Sequence, residues 1–247
     1  MAGAALPRRL TWQIGTVVDL IEETHRVKSI VLAVPAWSGH HAGQHLDVRL
    51  TAEDGYQVQR SYSIASAPED EHLVLTVERI EDGEVSPYLD QEVRRGDELE
   101  LRGPIGGYFV WEDPPKGPVL MLAGGSGVVP FRSMLRHWSA GSRTTVPRLV
   151  YSSRTLADVI YRSELAALAS DGVDIRLALT REWPDDWDGH RGRVDRDLLK
   201  AVASPTSEDP IAYVCGPNGF VESVSHALLE LGYASGRIKT ERFGPSG

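Results

Sequence analysis

The chain has 247 residues, 41% of them apolar, and a net charge of −9 from 35 acidic against 26 basic side chains. That length can bury a core without metal or disulfide staples, and the acidic balance argues against general nucleic-acid binding, which needs a basic footprint. The single cysteine excludes an internal disulfide and cannot supply the four thiolates of an iron–sulfur cluster.

The opening stretch "MAGAALPRRLTWQIG" carries its arginines after a short apolar run, which is not the order of a secretory signal. The longest apolar stretches, such as "PVLMLAG", fall far short of the roughly 20 residues that span a bilayer. A cytoplasmic protein without a membrane span is expected. From residue 12 to about 111 the segments "QIGTVVDLI", "VKSIVLAV", "QHLDVRL", "RSYSIA", "LVLTVERI" and "DELELRG" alternate apolar and polar residues between turn signals. They predict an antiparallel barrel or sandwich, with "SPYLDQE" as its one helix.

Two places in this half suggest chemistry. "HHAGQH" at 40–45 offers three imidazoles, but metal-ligand geometry is demanding, and a turn entering a strand explains Gly43 and Gln44 better than a metal site. In "QRSYSIA" the alternation sets Arg60 and Tyr62 on one face and Ser61 and Ser63 on the other. Arg60 can then hold a phosphate beside a ring able to pack on a flat cofactor. In "EDGEVSPYL", Gly83 and Ser86 stand at a helix start, a second anion cradle. A strand, a turn and a capped helix account equally well for these residues when each is taken alone.

"WEDPPKGP", 111–118, has three prolines and reads as a hinge between a domain at 1–113 and another at 114–247. Beyond it, strands "PVLMLAG", "RLVYSS", "VDIRLAL" and "IAYVCG" alternate with helical segments "VVPFRSMLRHW", "IYRSELAALAS", "DRDLLKAVA" and "GFVESVSHALLELG". This pattern predicts a parallel sheet with helices on both faces. "LMLAGGSGVVPFRSML" runs from a strand through Gly124, Gly125 and Gly127 into a helix near Pro130, so that backbone N–H groups and a helix N-terminus can hold a pyrophosphate. A tight turn in any α/β domain looks similar. Ser152, Ser153 and Arg154 end the next strand, and a hydroxyl beside a guanidinium suits a phosphate monoester, which favours NADPH over NADH. Arg181 in "ALTREW" ends the strand after that. Cys215 lies where "AYVCGPNGF" breaks from strand into turn, either as a small buried filler or as the wall of a site.

Together "RSYS" at 60–63, "GEVS" at 83–86, "GPIGGYF" at 103–109, "GGSGVVP" at 124–130, "SSR" at 152–154, "CGPNGF" at 215–220 and "ERF" at 241–243 resemble, in order and spacing, the ferredoxin–NADP reductase superfamily. The resemblance implies a flavin-binding antiparallel β-barrel followed by a Rossmann-like α/β nucleotide domain, with two cofactor rings meeting at the cleft. By that resemblance Arg60 binds a flavin phosphate, Tyr62 flanks the isoalloxazine, and the Ser63 hydroxyl sits near flavin N5. Gly83, Val85 and Ser86 form a second phosphate turn. Gly125, Ser126 and Gly127 face the nucleotide pyrophosphate, Ser153, Arg154 and Arg181 its 2′-phosphate, and Tyr161 the adenine. Cys215, followed by Gly216 and Pro217, stands beside the nicotinamide, and Ser63, Cys215 and Glu241 surround the hydride path. The ring of Phe243 is a candidate to stack on the flavin.

The function implied is hydride transfer from NADPH, or NADH, to FAD, or FMN, and release of single electrons to a separate acceptor such as a ferredoxin or an oxygenase component. A reductase of free flavin or ferric chelates, or a non-catalytic flavin-binding module, are the alternatives. Docking an acidic carrier on an acidic protein would need a local basic patch, for which Arg8, Arg9, Arg94 and Arg95 are candidates.

Overall fold

The computed structural model describes residues 10–111, 117–141, 143, 145–204 and 206–244. The hinge segment and the boundary between 113 and 114 fall largely on residues 112–116, outside the described residues, as do Arg8 and Arg9.

The first half contains β1 (Gln13–Thr24), β2 (Val27–Ala33), β3 (His45–Thr51), β4 (Gln57–Ser63), β5 (Leu73–Glu78), α1 (Ser86–Gln91) and β6 (Glu98–Ile105). Its strands form one antiparallel sheet in the order β4-β3-β6-β1-β2-β5, and a bridge between Ile64, just past β4, and Leu75 brings the two edges together as a barrel. Period-two alternation sends Leu46 and Val48 into the barrel with Ile30, Leu32, Ile64, Leu75 and Leu101, all at 0% exposure. His45 and Asp47 consequently lie on the opposite face of β3. Leu89 of α1 and the adjacent Val85 complete this core.

The second half contains β7 (Val119–Gly124), α2 (Val129–Ala140), β8 (Arg148–Ser153), α3 (Arg162–Ser170), β9 (Asp174–Leu179), β10 (His190–Arg191), α4 (Arg196–Val202), β11 (Ile211–Pro217), α5 (Asn218–Glu230) and β12 (Ile238–Phe243). The sheet is parallel, in the order β10-β9-β8-β7-β11-β12. The chain moves outward from β7 through β10 and then returns to place β11 on the other side of β7. The carboxyl ends of β7 and β11 therefore flank the point where strand order reverses, the place where open α/β sheets bind ligands. β10 and β12 do not emerge from hydrophobic periodicity. "IKTERF" carries three charged residues in six, and the strand lies on the sheet's edge, where only Ile238 and Lys239 are buried. No helix among the described residues is long and apolar enough to cross a membrane.

The two halves share apolar packing. Val27, Ala42, Ala65, Phe109 and Trp111 belong to the same buried cluster as Phe131, Met134, Tyr213 and Cys215. Gly43 is required at this seam: its φ is +98°, and a Cβ would stand 2.2 Å from the Phe109 carbonyl oxygen and 2.5 Å from Met134 Cε. A polar clamp runs beside the cluster. Ser133 Oγ donates to the Ser66 carbonyl at 2.6 Å, the Arg136 guanidinium pairs with both Asp70 oxygens at 2.7 and 3.0 Å, and Arg132 and Arg136 both reach Glu164. Forked arginine–carboxylate pairs of this kind fix orientation as well as distance.

Tyr161 belongs to this clamp. It is 4% exposed, its φ is +59°, its hydroxyl bonds Thr76 Oγ1 of the barrel, and the Arg132 guanidinium lies 4.8 Å from its ring centre. The ring expected beside an adenine thus lies in the contact between the halves, away from the residues that line the groove described below.

Candidate functional site at the seam

At the carboxyl edge of the parallel sheet lies a groove of about 420 Å³. Its walls include Gly124, Gly125 and Ser126 after β7, Ser152, Ser153 and Arg154 at the end of β8, Pro217 and Phe220 after β11, and Phe243 ending β12. The barrel contributes Thr24, Arg26, Val27 and Glu78, so the groove is built from both halves.

The loop after β7 explains its own glycines. Gly125 has φ +56° and a Cβ there would meet nothing within 4 Å, so the bare backbone faces open space. One tight turn of helix, Gly125–Val128, then feeds α2, whose Pro130 sits in the first turn where its missing N–H costs nothing. A phosphate can approach backbone there without meeting a side chain, which fits a pyrophosphate. Gly127 does something different: a Cβ would lie 2.2 Å from the Cys215 carbonyl oxygen and 2.9 Å from the Gly216 nitrogen. It is buried packing between loop and β11, and it is not part of the groove wall as expected from sequence. Gly216 is likewise a close-packing position, where a Cβ would stand 2.8 Å from the Phe220 ring and 3.2 Å from Gly124 Cα.

The arginines sort differently from the sequence expectation. Arg154 lines the groove, with Ser153 beneath it at 6% exposure. Arg181 is exposed and outside the wall; its backbone N–H bonds the Arg154 carbonyl at 2.9 Å. Arg193, which sequence reasoning did not single out, lines the groove instead. It follows β10, a two-residue strand with no periodic signal, and "GHRGRV" reads as an ordinary polar loop. With Arg26, three arginines face the groove against the carboxylates of Glu78 and Asp158. Asp158 accepts from the backbone and hydroxyl of Thr155, so it is occupied locally.

On the barrel, the β3–β4 register pairs Arg60 with Val48, Tyr62 with Leu46, Ser61 with Asp47 and Ser63 with His45, so the predicted two-faced alternation of "RSYS" is present. Arg60 is exposed, with Nη2 4.0 Å from a Glu84 oxygen, so the structure brings it beside the 83–86 turn. Tyr56 adds a hydroxyl contact to the same carboxylate at 3.3 Å. Within the turn, Ser86 Oγ accepts the Ile80 N–H at 3.1 Å and Val85 is buried, so these two side chains shape the turn and leave backbone to face outward. Tyr62 is half-buried, packed on the barrel core, and burial pushes its phenol pKa up, which keeps it neutral. An exposed guanidinium over a tight turn, with a half-buried ring on the same strand, fits the phosphate and flat ring of a flavin nucleotide.

The two halves converge on one further group of side chains. Cys215 is 1% exposed and pairs in register with Glu241 of β12. Burial, reinforced by that carboxylate, pushes the Cys215 thiol up, so it serves as a small polarizable wall and not as a thiolate. Glu241 Oε2 is a buried oxygen without a hydrogen-bond partner, and burial pushes the carboxyl up to about 7. An orphaned buried oxygen at the seam fits a polar ligand group that completes it. Its other oxygen, Oε1, lies 3.6 Å from Nδ1 of His45, the β3 residue paired with Ser63. Ser63, His45, Glu241 and Cys215 thus form a continuous line across the seam.

"HHAGQH" has a structural explanation. His40 Nε2 bonds the Ser66 carbonyl, the Gln44 side chain accepts from the His41 N–H and donates to the Gly106 carbonyl, and Gly43 makes the close approach described above.

Comparison with known proteins agrees with this geometry. Residues 15–110 match the family model described as an oxidoreductase FAD-binding domain, and residues 121–226 match that of an oxidoreductase NAD-binding domain. The chain is 35% identical to ferredoxin–NADP reductase B of Sorangium cellulosum over 82% of its own length and 84% of that protein. It is 33% identical to a glycine betaine monooxygenase reductase subunit of Pseudomonas aeruginosa over 96% of its length, spanning 66% of that longer protein. The FAD/NAD-binding domain of a Vibrio cholerae nitric oxide dioxygenase superposes with a TM-score of 0.83 at 28% identity, covering 94% of this chain and 99% of that one. A barrel with a phosphate turn, a parallel sheet with a nucleotide groove and these matches lead to one conclusion: the chain belongs to the ferredoxin–NADP reductase family of FAD- and NAD(P)-binding oxidoreductases.

Proposed function

We propose that this protein takes a hydride from NADPH and passes the electrons singly to a separate acceptor, such as a ferredoxin or an oxygenase component, in the cytoplasm. The observation that carries the reading is the line of Ser63, His45, Glu241 and Cys215, which joins the barrel to the nucleotide half beside the groove. The printed name of the Pseudomonas relative, a monooxygenase reductase subunit, supports an oxygenase-linked acceptor.

In this reading the barrel half, 1–113, holds FAD through Arg60, the backbone of Gly83–Ser86, Tyr62 and Ser63. The second half, 114–247, holds NADPH through Gly125 and Ser126 at the pyrophosphate and Ser153, Arg154 and Arg193 at the 2′-phosphate. Gly127 and Gly216 act by letting backbones meet, and Pro217 and Phe243 close the groove's rim. When bound, FAD accepts electrons as a pair and releases them one at a time, which is chemistry no side chain here supplies. The residues contribute position. Hydride transfer demands reacting atoms roughly 3–3.5 Å apart, and the clamp between Arg136, Asp70 and Glu164 holds the two halves in register for it.

Two of the candidates for a basic docking patch make local contacts while staying on the surface. Arg95 is paired with Asp19, and Arg94 spends Nη1 on the carbonyls of Gln91 and Val93.

The protein purified by desalting should remain yellow, lose its flavin absorbance on anaerobic addition of NADPH, and reduce a one-electron dye. A colourless preparation that stays inert after FAD is added would overturn the reading.

A further inference from the structure

His45 is not among the groups that the sequence motifs bring to the site, yet its Nδ1 stands 3.6 Å from the Glu241 carboxyl across the seam. A register irregularity in the β3–β6 pairing falls between His45 and Asp47, and irregularities of this kind re-aim side chains beside functional sites. The position of His45 joins Ser63, its partner in β4, to Glu241, the partner of Cys215 in β11.

We propose that His45 is the proton partner of Glu241: imidazole and carboxyl, one from each half, hold a proton between them and pass it between the buried site and solvent. This rests on the hydride-transfer reading above. For each NADPH oxidised, two one-electron acceptors take two electrons and one proton remains, so NADPH + 2 A(ox) gives NADP⁺ + 2 A(red) + H⁺. In this reading that proton is released beside the buried Cys215 and must reach solvent. It binds the Glu241 carboxylate as an O–H, is transferred to Nδ1 of His45 as that O–H breaks and an N–H forms, and leaves from the imidazolium to water. The His45 side chain is 27% exposed and that of Glu241 24%; of the carboxyl oxygens Oε2 is sealed, and Oε1 is the one that faces Nδ1 of His45.

The local charges suit a shared proton. Burial lowers the His45 pKa and raises that of Glu241, so each group alone favours its neutral form. In the proposed pair, a carboxylate near an imidazolium would favour the charged form of both. On the barrel side, Asp47 also faces His45 and favours its protonation, but it is held by the Ser61 hydroxyl at 2.7 Å and the Arg102 guanidinium at 2.7 Å. On the other side, the Cys215 thiol stays neutral, and Lys239, two residues before Glu241, lies 5.4 Å from the Tyr213 ring centre. Coupled groups of this kind titrate as a pair.

The test is spectroscopic and uses the FAD-loaded protein without nucleotide. The His45 ring nitrogens are followed by ¹⁵N NMR against pH in the parent protein and in Glu241→Gln, which keeps size and hydrogen bonding but removes the charge. The His45 midpoint should fall by about one pH unit in the variant, the scale expected for loss of a nearby opposite charge. In His45→Asn, the infrared carbonyl stretch of protonated Glu241 should persist to higher pH than in the parent. An unchanged His45 midpoint together with an unchanged Glu241 band overturns the pairing. Neither signal requires turnover, so failure of NADPH oxidation would sink the functional reading while leaving this measurement intact.

Discussion

Gly127→Ala should lower the rate of flavin reduction by NADPH about 100-fold while leaving the barrel's hold on FAD intact. The added methyl would lie 2.2 Å from the Cys215 carbonyl oxygen and 2.5 Å from its carbon, and backbone cannot swing away as a flexible side chain can. Either the phosphate loop or the end of β11 must move. Each carries a part of the proposed site, since Gly125 and Ser126 line the groove and Cys215 is the residue proposed to stand beside the transfer path. A misplacement of about 1 Å is enough to cost roughly 100-fold in a reaction that depends on ring-to-ring approach. The same strain should destabilise the second half by about 1–3 kcal/mol, the usual scale for overpacking a filled interior. Stopped-flow bleaching of the flavin reads the first effect and thermal unfolding the second. A variant as fast and as stable as the parent would show that the loop and β11 do not meet as described. By contrast, Gly125→Ala adds its methyl to open space and suffers only from the positive φ, so it should be the milder change.

Arg154→Ala should reduce kcat/KM for NADPH by about 10- to 100-fold and leave that for NADH nearly unchanged. A charge-assisted hydrogen bond contributes about 1.5–3 kcal/mol, and each 1.4 kcal/mol is a factor of ten. The nucleotides differ only in the 2′-phosphate, so the loss should appear in one and not in the other. Arg193→Ala should act in the same direction because Arg193 shares the groove wall, whereas Arg181→Ala should change little, being outside it. Steady-state kinetics with both nucleotides on the three variants separates the roles. Equal losses for NADPH and NADH in Arg154→Ala would mean that the guanidinium holds something common to both.

The barrel and the parallel sheet were legible in the sequence because their strands obey simple periods. Leu46 and Val48 alternate with Asp47 and Arg49, and "PVLMLAG" is apolar throughout because β7 is covered on both faces. The site was legible where it depends on backbone, as at Gly124–Gly127, where glycine reports a close approach. It was less legible where it depends on tertiary contact. Nothing in "DVIYRSEL" tells that Tyr161 turns into the seam to bond Thr76, 85 residues away in sequence. Nor does the sequence distinguish Arg193 from Arg181, since both follow short polar stretches and only the sheet's fan of strand ends decides which reaches the groove. In the sequence His45 is one of the three imidazoles of "HHAGQH" and the start of the strand "QHLDVRL". Its meeting with Glu241 depends on how the halves dock, which no local pattern encodes.

If the transfer path crosses the seam between the two halves at Ser63, Cys215 and Glu241, crystals of the protein with FAD and NADP⁺ should show both rings in one cleft, roughly 3–3.5 Å apart, bounded by Ser63 on the barrel side and by Cys215 and Glu241 on the other. A fully bound nucleotide whose nicotinamide lies away from those three residues, with the flavin held elsewhere on the barrel, would contradict it.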